Sequence, residues 1–382
     1  MNEFIHTFSC VTYLTKPRFD RMQDSYTQKE LFCGKNEKWV FSKYAEYGFR
    51  MEIIFTPYIE KLKHKHHEDY KAEWIVTPAK LLYPGESMRK LFAPEQYTEA
   101  CTVLADILKE IKEQSGVDLL HETKLRRVDV TKDITTPSEE YSQEVVRLAK
   151  IALSQYGYHL LDIDSIEEKK EDWKDENAVF FHNDNQEVQS KIYNKVEDMR
   201  IHGYETNDTT GLLRFELALK RTFMRENKFI REKYITAEEL SDALDRILRL
   251  APALMQKHIA DPLWSGRMVS KELQKKEIRK YCEYKTDSAK YKKMIAYRKA
   301  CNRVKSMENV KENPAAERYF REMGLSPLYC SEEAGRIPSF SDLLAGTESA
   351  KTFDYVNFCS PVSTPKSSSV RLTTRNITAI TS

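Results

Sequence analysis

The sequence predicts an α+β protein, in which an antiparallel-rich central sheet carries helices on one face and is followed by a helical C-terminal region and a disordered tail. Three observations predict this class. Runs of alternating apolar and polar residues, the period of a half-buried strand, recur through residues 1–225. Two stretches with apolar residues at helical spacing separate some of these runs. Beyond residue 225 helical spacing replaces alternation, and such segregation of strands and helices is typical of α+β folds.

The N-terminal part is predicted to supply three strands. An apolar run at 4–14 is the first, and residues 47–58 and 73–82 form a hairpin that ends at the turn signal Pro84-Gly85. The charged connection at 61–69 contains three histidines, which makes it a candidate metal site, although a run of this kind between strands is more typical of a solvated loop.

Two amphipathic helices alternate with the next strands. The first spans 94–114 and ends at Gly116; its apolar stripe is Tyr97, Ala100, Val103, Leu104, Ile107, Leu108 and Ile111. A strand at 127–133 follows. The second helix starts at a capping box, Thr136 to Glu139, and stops near Gly157.

Three strands in succession complete the predicted sheet, at 178–182, 190–196 and 211–219. The last alternates cleanly, with Leu213, Phe215, Leu217 and Leu219 directed inward. The predicted order is therefore β-β-α-β-α-β-β-β, with one more strand at the N-terminus.

The C-terminal part is predicted to be helical as far as residue 330. A capping box at Thr236 opens a helix that Pro252 ends or kinks, and the further helices span 270–285, 288–308 and 313–323. We therefore divide the chain into a catalytic domain at 1–225, a basic helical DNA-binding region at 226–330 and a disordered tail at 331–382, where Ser, Thr and Pro dominate.

Charge and cysteine content narrow the class of protein. The net charge is only +2, but residues 264–310 hold fourteen Lys or Arg against five Asp or Glu, a balance of 14 − 5 = +9. The tyrosines interleaved there are Tyr281, Tyr284, Tyr291 and Tyr297. This pattern is typical of a nucleic-acid surface, and alternatively of a solvated face with tyrosines packed beneath it. Seven cysteines without paired spacing, and no signal-peptide or membrane-spanning pattern, predict a cytoplasmic protein with reduced thiols.

Three of the predicted strands carry residues suited to cutting DNA. Side chains alternate along a strand, so each strand presents its polar residues on one face. The three sets are Asp129 with Asp133, Tyr193 with Lys195 and Glu197, and Arg214 with Glu216. A phenol is a poor nucleophile at neutral pH, but a carboxylate-bound Mg²⁺ or Mn²⁺ makes a phosphodiester more electrophilic and stabilises the departing oxygen.

These runs resemble motifs of rolling-circle replication initiators. Arg127-Val128-Asp129, Ile192-Tyr193-Asn194-Lys195 and Arg214-Phe215-Glu216 are similar, in order and separation, to motifs of the trans-acting plasmid initiators, the related relaxases of conjugative elements and the filamentous-phage replication endonuclease (gene II protein). Thr77-Pro78-Ala79-Lys80 also resembles a segment of the phage enzyme. The similarity covers roughly residues 47–225.

The resemblance implies a role for each matching residue. Tyr193 would be the nucleophile that becomes linked to a DNA 5′ phosphate, and Asp129 and Glu216 would bind Mg²⁺ or Mn²⁺, with Asp133 as an auxiliary acid. Lys195 and Arg214 would place cations at the scissile phosphate, or Arg214 would orient Glu216. His182 is either a third metal ligand or an ordinary strand-end histidine. The glycine-containing segment of the plasmid family is replaced here by residues 180–184.

The function implied is that of a phage or plasmid replication initiator, which nicks one origin strand and leaves a 3′-OH primer. Its partners would be single-stranded or unwound origin DNA and a host helicase. A relaxase of a conjugative element would use the same chemistry. A DNA-binding regulator that has lost catalysis is a third interpretation, against which the intact set Tyr193, Asp129 and Glu216 argues.

Overall fold

The computed structural model confirms the predicted fold class. It describes residues 3–34, 37–56, 70–85, 96–155, 159–160, 177–182, 186–204, 210–230, 234–263, 265–284, 288–303 and 313–346. The histidine run at 61–69 and residues 347–382 of the predicted tail lie outside these ranges.

A ten-stranded sheet, antiparallel at every pairing, forms the centre of the molecule. Its strands are β1 (Glu3–Leu14), β2 (Leu31–Cys33), β3 (Lys38–Phe41), β4 (Phe49–Phe55), β5 (Tyr70–Val76), β6 (Lys124–Thr136), β7 (His159–Leu160), β8 (Ala178–His182), β9 (Val188–Asn194) and β10 (Gly211–Lys220). The spatial order is β2-β3-β4-β5-β1-β6-β10-β9-β8-β7. Strands β1, β6, β10 and β9 are therefore adjacent at the centre.

Helices cover the apolar face of this sheet. The helices of this part of the chain are α1 (Lys16–Ser25), α2 (Pro78–Leu82), α3 (Tyr97–Ser115), α4 (Glu139–Gln155), α5 (Lys195–Ile201), α6 (Arg221–Glu226) and α7 (Ala237–Met255). Helix α4 packs against β6, β8, β9 and β10, and α7 packs against β1 and β6. The predicted inward residues of β10, including Phe215 and Leu217, are fully buried. The polar residues of the same strands therefore lie on the opposite face.

Two predicted boundaries need correction. The strand predicted at 73–82 ends at Val76, and α2 follows it at once. Pro252 does not end α7, which continues to Met255 and passes into a π-helical turn, Gln256–Ala260. The capping box of α7 is present as predicted, since Thr236 Oγ1 accepts from Glu239 N at 3.2 Å.

The C-terminal part is helical but also contains a small sheet that the sequence did not indicate. Helices α8 (Lys271–Tyr284), α9 (Ser288–Cys301) and α10 (Pro314–Glu322) lie between strands β11 (Arg267–Ser270) and β12 (Leu325–Cys330). Strand β11 pairs in parallel with β12 and antiparallel with β13 (Arg336–Ile337). In the described part of the chain, no helix has the length and hydrophobicity needed to span a membrane.

The prediction that disorder starts at residue 331 is wrong for residues 331–346. Strand β13 and helix α11 (Phe340–Ala345) lie in this segment, and α11 packs against β6 and the π-helical turn. Phe340 and Ile337 are fully buried. Four buried apolar residues therefore hold a segment whose overall composition is typical of disorder, namely Ile337, Phe340, Leu343 and Leu344. The division of the chain into three units stays a prediction.

Candidate functional site

Strand register places three of the predicted site residues in one row. Arg214 on β10 pairs directly with Asp133 on β6 and with Tyr193 on β9. Directly opposed residues have Cβ atoms about 4.5–5.5 Å apart. The three runs identified in the sequence are therefore adjacent strands, and their polar residues face the same side of the sheet.

A second row lies two residues further along the strands. Glu216 pairs with Thr131 on β6 and with Lys191 on β9. The Nζ atom of Lys191 lies 3.9 Å from Glu216 Oε2 and 3.9 Å from the centroid of the Tyr193 ring. Lys191 thus connects the two rows, a position that the sequence reasoning did not assign to it.

Strand β1 adds His6, which the sequence reasoning missed. The pairing of β1 with β6 shifts between Ile5 and Thr7, so that His6 is an extra residue in a β-bulge. The bulge leaves His6 and Thr7 both half-buried, although strict alternation would separate them. His6 Nε2 lies 3.9 Å from Glu216 Oε1. Two polar residues in an apolar run are the only sequence signal of this bulge.

Asp133 and Arg214 form a buried bidentate ion pair. Arg214 Nε and Nη2 each donate to one oxygen of Asp133 at 2.6 Å. The exposed fractions of the two side chains are 6% and 4%. The predicted parts of Asp133 in a metal site and of Arg214 at a phosphate would each require this pair to separate.

The carboxylate of Asp129 is also bound. Its Oδ2 accepts from the Thr7 hydroxyl and its Oδ1 from Arg127 Nε, both at 2.6 Å. Arg127 is largely solvent-accessible, so its ion pair with Asp129 is easier to exchange than the buried pair in the neighbouring row.

Lys195 does not continue β9, although the sequence alternation predicted that it would. The strand ends at Asn194, whose side chain accepts from Val196 N at 3.1 Å and caps α5. Lys195 is therefore the first residue of a helix. Its Nζ still lies 5.9 Å from the centroid of the Tyr193 ring and donates to Asp198 at 2.5 Å.

The change from strand to helix also removes Glu197 from the predicted face. Its carboxylate accepts from Arg200 Nη1 at 2.9 Å within α5. The prediction that Glu197 shares a strand face with Tyr193 is therefore wrong.

The environment of Tyr193 keeps its phenol protonated. The side chain is only 5% exposed. Burial raises the pKa of Tyr193 well above its ordinary value; the Arg214 cation opposes this shift, and the carboxylates of Glu216, Asp198 and Asp133 add to it. A nucleophilic Tyr193 therefore needs a change of charge in its surroundings.

Two basic side chains that line this pocket, Lys195 and His6, have lowered pKa values. Burial lowers the pKa of Lys195, and the Arg214 cation lowers it further, whereas Asp198 opposes the shift. Burial, together with the cations of Arg214 and Lys195, lowers the pKa of His6 to about 3. His6 is therefore a neutral imidazole at physiological pH and has a lone pair available to a proton or a metal.

An open pocket of about 710 Å³ gives access to this face of the sheet. Its lining includes His6, Lys191, Tyr193, Lys195 and Glu216. The volume of this pocket and its polar lining residues suit part of a nucleotide strand.

The segment at Thr77–Lys80, which resembles part of the phage enzyme, lines the same pocket through Thr77 and Lys80. Gly48 supports this wall. Its φ of +82° is in the left-handed region, and an added Cβ would lie 2.5 Å from Lys80 Cβ and 2.7 Å from the Thr77 carbonyl oxygen. The backbone at Gly48 therefore approaches α2 more closely than any other residue type permits.

His182 lies away from these rows. It pairs with Gln189, four residues along β9 from Tyr193, which corresponds to roughly 13 Å of strand. Its strand-end position favours the interpretation of His182 as an ordinary structural histidine.

Several groups at the centre of the site suit a divalent cation. His6 and Glu216 offer a nitrogen and an oxygen 3.9 Å apart, within the ~4 Å that two ligands of one ion can span. The buried Thr131 hydroxyl, in register with Glu216, has no hydrogen-bond partner in the described part of the chain. Among those residues, however, no three His, Cys, Asp or Glu side chains are already arranged around one point.

Three tyrosines of the C-terminal region, Tyr281, Tyr291 and Tyr297, are packed against the protein. Tyr297 is buried and its hydroxyl donates to Glu317 at 2.9 Å. The hydroxyl of Tyr281 donates to Glu322, and Tyr291 is half-buried beside Arg279. For these three residues the structure favours packing beneath a basic surface over base stacking.

Comparison with known proteins adds little to this geometry. No protein-family model matches the chain, and no curated protein matches it. A solved structure described as the rolling circle replication initiator protein from Geobacillus stearothermophilus is similar over 67% of this chain and 85% of that chain, at 10% identity and a TM-score of 0.29. At that score the likeness is distant, and neither a family nor an activity follows from it.

Proposed function

We propose that this chain is a DNA strand transferase that initiates replication of a phage or plasmid by nicking one origin strand with Tyr193. The observation that carries the proposal is the pair of cross-strand rows. Together with Lys195 at the start of α5, they bring a buried tyrosine, two lysines and a carboxylate to one pocket. A cluster with only a structural role has no need to gather a phenol, a half-buried carboxylate and two lysines around one open pocket. Perturbed titration of several grouped side chains is itself typical of functional sites.

The reaction is a transesterification. The Tyr193 oxygen loses its proton and bonds to the phosphorus, while the bond from phosphorus to the 3′ oxygen breaks. The 3′ oxygen takes up a proton and becomes the free primer end, and the 5′ phosphate stays on the tyrosine. The number of phosphoester bonds is unchanged, so no external energy source is needed.

The chain's own residues would assist this step electrostatically. Lys191 and Lys195 lie within 6 Å of the Tyr193 ring, where their charges would favour both the phenolate and the bound phosphate. Arg214 would stay bound to Asp133 and act only through its charge, which opposes the rise in the pKa of Tyr193.

A divalent ion would be held by His6 and Glu216, with Asp129 joining after release from Arg127. Mg²⁺ or Mn²⁺ would polarise a non-bridging phosphate oxygen when bound. An imidazole among the ligands favours Mn²⁺ over Mg²⁺, since Mg²⁺ prefers oxygen ligands.

The partners proposed are single-stranded or unwound origin DNA and a host helicase that unwinds the nicked duplex. A relaxase of a conjugative element would nick by the same chemistry, and the genes beside this one distinguish the two. Both interpretations predict a covalent protein–DNA adduct.

The test is adduct formation on DNA from the region of the protein's own gene. Purified protein is incubated with end-labelled single strands and Mg²⁺ or Mn²⁺, and the products are run on a denaturing gel. The adduct should form with wild-type protein and be lost in Tyr193→Phe and with chelator. Tyr47→Phe and Tyr204→Phe are the matched controls, because both tyrosines line the same pocket.

Absence of any adduct on the cognate origin, or an adduct that persists in Tyr193→Phe, would refute the proposal. The DNA-binding regulator without catalysis would then be the better interpretation.

A further inference from the structure

Helix α9 has an unusual charge composition. Between Ser288 and Cys301 it carries five Lys or Arg and no Asp or Glu. Its exposed residues are Ser288, Ala289, Lys292, Lys293, Ala296, Lys299 and Ala300. This outer face of α9 therefore consists only of lysines and small residues.

The other face of α9 is fixed to the protein. Met294, Tyr297 and Cys301 are buried. Lys290 lies between two aromatic rings, 4.0 Å from the centroid of Tyr281 on α8 and 3.8 Å from that of Tyr319 on α10. These contacts fix the rotation of α9 about its axis, so that its outer face is turned to solvent.

The two remaining cations of α9 have structural partners, whereas those of the outer face have no ion-pair partner among the residues that the structure describes. Arg298 is buried and donates to the Lys271 carbonyl oxygen at 3.1 Å. Lys292, Lys293 and Lys299 form no ion pair within the described part of the chain. Unpaired lysines on an acid-free face create a local positive potential that attracts a polyanion.

We propose that the outer face of α9 binds the phosphates of duplex DNA; this rests on the proposed function only in taking origin DNA as the partner. Charge complementarity selects a polyanion. Two features select a duplex over a single strand. The outer face offers no aromatic ring on which an unpaired base can stack. Its alanines allow the helix backbone to approach a groove closely.

The dimensions of the helix agree with this partner. Lys292 and Lys299 lie seven residues apart, which is roughly 10.5 Å along the helix axis. The major groove is about 12 Å wide and admits an α-helix. Exposed cations on α8, among them Lys276, Arg279 and Lys280, extend the positive surface beside α9.

The test compares two triple variants that remove the same charge. Lys292→Gln/Lys293→Gln/Lys299→Gln neutralises the outer face. The matched control, Lys109→Gln/Lys112→Gln/Arg249→Gln, neutralises exposed cations on α3 and α7 that have acidic neighbours. Binding to duplex DNA is measured by fluorescence anisotropy across a range of salt concentrations, after thermal unfolding has shown that both variants are folded.

The outer-face variant should bind duplex DNA at least ~10-fold more weakly at 100 mM salt. The slope of log binding constant against log salt concentration should fall in magnitude by about 2.7, because each of the three lost phosphate contacts releases roughly one counterion. The control should stay within about twofold of wild type with an unchanged slope. A second variant, Ala296→Glu, should weaken duplex binding comparably, while Ala296→Gln should have a smaller effect.

An unchanged slope in the outer-face variant, or an equal loss in the control, would overturn this inference. A loss confined to single-stranded DNA would also overturn it. Tyr193→Phe should bind duplex like wild type, so the inference and the proposed catalysis can fail independently of each other.

Discussion

The buried pair between Asp133 and Arg214 gives the sharpest test of how the site is built. Sequence reasoning placed Asp133 beside a metal, whereas the structure has both of its oxygens accepting from Arg214 at 2.6 Å. The two interpretations predict different effects of Asp133→Asn. Loss of a metal ligand mainly weakens ion binding, but loss of a buried partner leaves a guanidinium uncompensated.

The magnitude follows from the burial of the pair. Both side chains are at least 94% removed from solvent, and removing one partner from such a pair costs about 3–5 kcal/mol in the free energy of unfolding. The double variant Asp133→Leu/Arg214→Met replaces the pair with apolar groups and should recover most of this loss, since the desolvation penalty disappears with both charges.

Guanidinium unfolding, followed by tryptophan fluorescence, measures both changes, and a Mn²⁺ titration of adduct formation is run on the same proteins. We expect Asp133→Asn to lower the free energy of unfolding by 3 kcal/mol or more, with Mn²⁺ affinity changed less than threefold. A loss below ~1 kcal/mol together with a Mn²⁺ affinity reduced 10-fold or more would show that Asp133 is a ligand and that our interpretation is wrong.

Three further predictions concern His6, Gly48 and Glu216. The pKa of His6 in the folded state is lowered to about 3, so between pH 6.5 and 3 the unfolded state binds a proton that the folded state does not. The stability of the wild type is therefore complete above pH 6.5 and falls as the pH drops toward 3. The unfolding midpoint should fall less steeply with acidification in His6→Gln than in wild type. Gly48→Ala should cost about 2–4 kcal/mol by thermal unfolding, because its Cβ collides with α2, whereas Gly85→Ala, also at positive φ but in open space, should cost about 1 kcal/mol. Glu216→Gln should slow adduct formation ~100-fold or more in a gel time course, whereas the control Glu52→Gln should react at the wild-type rate. Equal rates for the two variants would exclude Glu216 from the site.

The alternation of apolar and polar residues in the sequence was sufficient to identify which face of β6 and of β10 carries the candidate site. On β6 and β10 strict alternation holds, so the faces of Asp129, Asp133, Arg214 and Glu216 follow from the sequence. Their order in the sheet did not follow, because any of several antiparallel orders satisfies the same pattern. The observed order brings Tyr193 beside Arg214.

The parts that sequence reasoning missed depend on local departures from regular geometry. A bulge on β1 adds His6, and the cap at Asn194 turns the expected strand into a helix at Lys195. At Lys195 the apolar alternation continues through the departure, and on β1 only the adjacent polar pair His6-Thr7 marks it. The ion pair of Asp133 could not be predicted from the sequence either, because alternation shows which side chains share a face but not which of them bind each other.

The carboxylate of Glu216 is placed to influence the protonation of Tyr193. Burial is the largest cause of the raised pKa of Tyr193, and Glu216 contributes the largest carboxylate effect. Asp133 is held by Arg214 at 2.6 Å, but the nearest cationic group to Glu216, on Lys191, is 3.9 Å away. A cation that approaches Glu216 more closely therefore lowers the pKa of Tyr193, while DNA that only excludes water raises it. Under the proposed function the same carboxylate would bind the ion, so ion binding and activation of the phenol would be coupled, and adduct formation without the ion should require a higher pH.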